Sequence, residues 1–147
     1  WAHMVFGRGG TIAHGAWDPV FKPNEDWDHA WGAAPANIIP RWLMGVRPID
    51  PGFARFLVNP QPGSLDWAEL RFPSIRGPIR VRFERRVGYR IVFVGVPANS
   101  MAYVAPPCTN TVATHWPEDT YAGSDAALGE GWVGPLSPGN HEVRCDD

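Results

Sequence analysis

The alternation of apolar and polar positions divides the chain near residue 48. From there on the period is two. Phe53–Asn59 sets Phe53, Arg55 and Leu57 against Ala54, Phe56 and Val58, and Trp67–Phe72 sets Trp67, Glu69 and Arg71 against Ala68, Leu70 and Phe72. Ile79–Arg85 alternates cleanly, apolar inward and charged outward. A turn at Val87-Gly88 returns Tyr89–Val96 as its hairpin partner. Met101–Ala105, Thr109–His115 and Asn140–Cys145 read as later strands, the last two separated by a Gly/Ser/Asp-rich loop. About seven short strands with regular turn signals predict an antiparallel β-sandwich.

Before residue 48 the pattern is different. Residues 1–25 hold no sustained period. Asp26 and Asp28 then precede Ile38, Ile39, Trp42, Leu43 and Val46, which recur at helical spacing. Pro35 and Pro40 interrupt that run and Gly45 suits its C-terminal cap, so a kinked or two-part helix is expected from about 29 to 45. The expected fold is mainly β: a sandwich over 48–147, with a loop-helix segment over 1–47 whose helix packs against the sheet.

Composition agrees. Among 147 residues, 16 Gly and 16 Pro favour strands and turns over long helices, and 44% hydrophobic residues supply a core. A net charge of -2 implies neither a nucleic-acid nor a membrane partner, and no apolar run is long enough to span a bilayer. The start shows no signal-peptide pattern, and an opening Trp1 in place of Met is what a mature product or a fragment would show. Cys108 and Cys145 are open to two readings, a disulfide across neighbouring strands or two free thiols. The compartment is left open, a periplasmic or extracellular one included.

The candidate chemistry concentrates before the sandwich. Asp26-Trp27-Asp28-His29-Ala30-Trp31 packs acids, an imidazole and two indoles into one short run. His29 and Asp26 lie three apart, where they share a helix face or else cap and pack locally. Asp18, Glu25, Asp26 and Asp28 are a loose carboxylate cluster, either two facing acids of a glycosidase or solvated loop and cap residues. Trp17, Trp27 and Trp31 read as a stacking platform for sugar rings or as packing, and Trp116 and Trp132 pose the same choice more weakly. His3, His14, His29, His115 and His141 are scattered without HExxH spacing, so neither a metal nor another cofactor is expected. There is no GxSxG, and the glycines around Arg8 do not have GxGxxG spacing.

Asp26–Arg41, followed by Leu43–Pro48, Pro51–Phe53, Pro60–Leu65 and Ile75–Ile79, resembles the end of the catalytic domain of bacterial α-L-rhamnosidases passing into its C-terminal β-sandwich. Gly139–Val143 resembles the closing strand of that sandwich. The resemblance implies descent from an (α/α)6-barrel enzyme that hydrolyses terminal rhamnose with inversion. By position His29 matches the family's substrate-contacting histidine, and Trp17-Asp18 matches the pair following the catalytic-base glutamate. That glutamate falls at Gly15 in this sequence, so the base is missing. The general acid belongs to an earlier part of the barrel. The expectation is therefore a rhamnosidase-like C-terminal module that is non-catalytic alone and binds carbohydrate, such as a rhamnose-containing glycan, or plays a structural role. Self-association, or completion of a missing barrel chain, is the partner expectation. The rival is a minimal glycoside hydrolase with Asp18, Asp26 and His29 as its candidates, helped by Glu25 and Asp28.

Overall fold

The computed structural model describes residues 6–7, 34–108 and 131–146. The chain divides into two compact units, Trp1–Ile38 and Ile39–Asp147. In the first, the described residues form one short helix, α1 (Ala34–Ile38). Its Pro35 sits in the first turn, where a missing N–H costs nothing.

The second unit opens on a π-helical turn, Ile39–Leu43, closed by the Met44 N–H on the Ile39 carbonyl at 2.9 Å. Pro40 has no N–H for a regular α-helical ladder, which accounts for the change of winding. The helical pattern thus stops sooner than the apolar spacing suggests. Ile39 and Trp42 remain about half exposed, and Val46 is buried in a strand.

Gly45 makes the transition. Its φ of 69° lies in the left-handed region, and an added Cβ would fall 1.9 Å from the Asn59 carbonyl oxygen. Only glycine permits that approach. β1 (Val46–Pro48) then pairs antiparallel with β2 (Arg55–Val58). Between them a 3-10 turn at Pro51–Phe53 is held by Asp50, whose two carboxylate oxygens accept from the Arg55 guanidinium at 2.6 and 3.0 Å.

The chain crosses to a second sheet and forms a meander of β3 (Trp67–Phe72), β4 (Ile79–Arg86) and β5 (Tyr89–Val96). It returns as β6 (Met101–Val104), adds β7 (Val133–Leu136) and ends on β8 (Gly139–Asp146). The first sheet runs β1-β2-β6-β7 and the second β3-β4-β5-β8. The second is antiparallel throughout, as expected. The first is not, because β2 and β6 pair parallel, Arg55 opposite Met101 and Val58 opposite Val104. Three intervening strands, each reversing direction, return the chain along β2 in the same sense. The edge strands β1 and β7 contain Pro48 and Pro135, residues that a central ladder would not tolerate.

Alternation places the core as the sequence implies. Phe56, Val58, Ala102 and Val104 face Ile79, Val81, Phe83, Val92, Val94 and Val143, with Met44 and Val46 closing one side. Phe53, at 5.1 Å from the Phe72 ring, and Leu43 pack against this cluster. The sandwich is the expected fold; β1 and β7 are the strands the pattern did not mark, and Thr109–His115 lies outside the described residues. Cys108 and Cys145 form a disulfide, Cα–Cα 6.1 Å, resolving the two readings in favour of the bridge.

Candidate functional site

The residues singled out by sequence, Trp17, Asp18, Glu25, Asp26, Trp27, Asp28, His29 and Trp31, lie outside the described residues, as does Gly15. The structure instead defines a second constellation on the outer face of the β3-β4-β5-β8 sheet. Strand register dictates its membership. Because alternate residues share a face, the outward positions fall in rows: Trp67, Glu84, Ile91 and Arg144; then Glu69, Arg82, Phe93 and Glu142; then Arg71, Arg80, Gly95 and Asn140.

Phe93 and Gly95 form the floor of a cavity of about 390 Å³. Glu69, Arg80, Arg82, Asn140 and Glu142 line it with charged and amide groups. Gly95 keeps the cavity open, since a Cβ there would meet the Arg80 Cβ at 3.2 Å and the Asn140 Oδ1 at 3.3 Å. His141, also in the lining, is turned to local work; its Nε2 donates to the Ser137 carbonyl at 2.6 Å. Beyond Arg82 a smaller cavity of about 250 Å³ is lined by Trp67, Glu84, Arg85 and Arg86. Trp67 is 60% exposed and offers an open indole face, with the Arg82 guanidinium 5.3 Å from its ring centroid.

The electrostatics fix these groups in place rather than poise them for proton transfer. Arg82 donates to Glu84 at 2.6 Å and to Glu69 at 3.0 Å, and Arg86 donates to the second Glu84 oxygen. The Glu84 side chain is only 10% exposed. Its hydrogen bond from Arg82 is the chief cause that holds its carboxyl below the usual carboxylate range, outweighing the opposing desolvation. Asp50 is lowered as well, first by its hydrogen bond from Arg55. A general acid needs a raised pKa, so both shifts run in the wrong direction for that role. Among the described residues no group of His, Cys, Asp and Glu side chains could hold a metal ion, and no helix is long and apolar enough to cross a membrane.

Chemically the face offers two flat aromatic surfaces at separate depressions, bracketed by fixed hydrogen-bonding groups. Such a pairing suits a ligand with apolar faces and hydroxyl edges. Its β3 and β4 components were visible in the sequence as alternate positions of Trp67–Phe72 and Ile79–Arg85. Their juxtaposition was not, because register across β3, β4, β5 and β8 is a property of the assembled sheet.

Comparison with known proteins gives a consistent placement. Residues 45–117 match the sequence profile described as the bacterial alpha-L-rhamnosidase C-terminal domain. No match is found among curated protein sequences. Several solved structures share the fold, three alpha-L-rhamnosidases among them. The alpha-L-rhamnosidase from Aspergillus terreus is 19% identical, TM-score 0.65, over 99% of this chain and 16% of that one. The Streptomyces avermitilis alpha-L-rhamnosidase complexed with L-rhamnose is 21% identical, TM-score 0.63, over 88% and 13%. The alpha-L-rhamnosidase from Dictyoglumus thermophilum is 24% identical, TM-score 0.52, over 59% and 10%. This chain therefore corresponds to a small part of each of those proteins.

Proposed function

The chain carries a bacterial alpha-L-rhamnosidase C-terminal domain, and from that premise we propose that its sandwich is a non-catalytic module that holds carbohydrate on the outer face of the β3-β4-β5-β8 sheet. One observation carries this reading: Phe93 and Trp67 present aromatic surfaces at two depressions on one face, separated by an Arg82 side chain fixed between Glu69 and Glu84. A pyranose ring stacks its C–H face on such a surface, while its hydroxyls exchange hydrogen bonds with neighbouring amide and charged groups. Asn140 supplies an amide that both donates and accepts. Glu69 and Glu84 on this face are ion-paired acceptors, suited to receiving hydroxyl hydrogen bonds rather than to protonating a leaving group.

The rhamnosidase relationship supports a sugar as the ligand class, with a rhamnose-containing glycan the first to try. The missing glutamate at Gly15 supports a role without turnover. The Cys108–Cys145 bridge suits an oxidising, exported setting.

The test is calorimetric titration of the 147-residue chain with rhamnose-containing oligosaccharides, alongside Phe93→Ala and Trp67→Ala. Saturable binding that falls by about tenfold or more in either variant, a loss of about 1.4 kcal/mol, is the expected result. Absence of binding, or affinities untouched by both substitutions, refutes it. A parallel assay with aryl rhamnosides addresses turnover: hydrolysis abolished by Asp18→Asn or Asp26→Asn would establish the enzyme reading instead.

A further inference from the structure

Arg71 and Arg80 stand directly opposite each other on β3 and β4, both exposed and both on the outer face. Like charges at directly opposed positions destabilise a sheet. A carboxylate between them would relieve the repulsion, yet among the described residues neither has an ion-pair partner. Of the two carboxylates that line the cavity with Arg80, Glu69 accepts instead from Arg82 at 3.0 Å, and Glu142 stands two strands away on β8. Two cations thus occupy directly opposed positions, Arg80 lining the cavity floored by Phe93 and Gly95 and Arg71 next to it on β3.

Their row continues through Gly95 to Asn140. The Arg80 stem and the Asn140 amide oxygen bracket the space above Gly95, at 3.2 and 3.3 Å from where its Cβ would lie. A cation pair, an unfilled slot and an amide thus follow one another along one row. The wider charge distribution points the same way. Among the described residues every Lys or Arg position is an arginine, and these arginines outnumber the carboxylates there, although the whole chain carries a net charge of -2. Arginine rather than lysine matters, because a guanidinium fork meets a carboxylate through two parallel hydrogen bonds.

We propose that this face takes an acidic oligosaccharide, a sugar chain in which a uronic-acid carboxylate docks between Arg71 and Arg80 while a neighbouring ring lies over Phe93. The inference rests on the carbohydrate-binding reading above and narrows its ligand class. It assigns Arg71 and Arg80 as specificity residues and Gly95 as the residue that leaves the slot open.

Trigalacturonic acid and its carboxyl-reduced, neutral counterpart form the discriminating pair of probes, titrated into the full 147-residue chain at low salt. The acidic form is expected to bind about tenfold tighter or more. Arg71→Gln with Arg80→Gln is expected to erase that preference, bringing the acidic probe down to the affinity of the neutral one. Raising the salt to about 0.5 M should shrink the preference by screening, since both arginines are exposed. Gly95→Val is expected to abolish binding of both probes. Thermal unfolding keeps the substitutions interpretable: relief of like-charge repulsion leaves the double variant at least as stable as the parent.

Equal affinity for the two probes overturns the proposal, as does a preference that survives loss of both arginines or a marked fall in thermal stability on their removal. If the neutral probe binds and Phe93→Ala weakens it, while the carboxylates add nothing, the acidic-sugar inference alone fails. Binding of neither probe, nor of the rhamnose-containing oligosaccharides, removes both readings.

Discussion

Replacing Gly45 by alanine puts the join between the π-helical turn and β1 to a quantitative test. The added methyl would lie 1.9 Å from the Asn59 carbonyl oxygen, 2.2 Å from its carbon and 2.6 Å from the Asn59 nitrogen. All three are backbone atoms, so no side chain can rotate away. Relief requires moving β1 from the end of β2, which breaks the bond from the Asn59 N–H to the Gly45 carbonyl, 3.2 Å long. That loss is worth about 1 kcal/mol. The left-handed φ of 69° adds about 1–2 kcal/mol for a residue with a Cβ. Core displacement at Met44 and Val46, 1% and 3% exposed, raises the total to about 3–5 kcal/mol. Gly63 is the control: its φ is 57°, but nothing lies within 4 Å of an added Cβ. Gly63→Ala meets only the conformational penalty, partly offset by a stiffer unfolded chain, for a net of about 1 kcal/mol or less. Urea unfolding followed by tryptophan fluorescence should separate the two midpoints by about 1 M or more at an ordinary slope. Coincident midpoints would show that left-handed geometry alone governs position 45 and that the close approach to Asn59 has no energetic weight.

Three further outcomes follow from the same structure. Cys108→Ala with Cys145→Ala opens a bridge of sequence separation 37 and should cost about 4 kcal/mol by loop-closure entropy, read as a lower urea midpoint equal to that of the reduced parent. Glu84 has a carboxyl pKa lowered in the fold, first by Arg82, so its contribution is present above the unfolded value of about 4.3 and lost as pH falls through the folded value. Glu84→Gln should therefore flatten the acid limb of a stability-against-pH curve, and an unchanged limb would assign acid sensitivity elsewhere. Phe83→Ala empties a site of 0% exposure between the sheets and should cost about 3–5 kcal/mol by thermal or urea unfolding.

Most of the second sheet was legible because its strands obey one simple rule. Ile79, Val81 and Phe83 alternate with Arg80, Arg82 and Glu84, and the hairpin to Tyr89–Val96 needs only the tight turn at Val87-Gly88. The first sheet hid more. Val46–Pro48 lies at the end of a helical apolar pattern, so spacing assigns it to the helix, and Val133–Leu136 contains a Gly-Pro pair that reads as loop. The parallel pairing of β2 with β6 has no local signature, since direction depends on how many strands intervene. The same limit applies to the candidate site. Arg82 appears as an outward residue, Trp67 as one side of an alternating strand and Phe93 only as part of the returning strand, but only register sets them side by side. Composition drew the eye instead to Asp26–Trp31, where unlike residue types crowd in sequence rather than in a sheet.

The placement of β3, β4 and β5 between the neighbours β2 and β6 makes the two sheets unequal partners for engineering. Three strands of one sheet are spelled within a connection of the other, which leaves through residues 59–66 and returns through residues 97–100. The Val87-Gly88 turn instead joins neighbours within one sheet: Val87 is fully exposed and nothing lies near Gly88. It is the natural place to attach a fluorophore or a tether, leaving both the layers and the outer face of the sheet undisturbed.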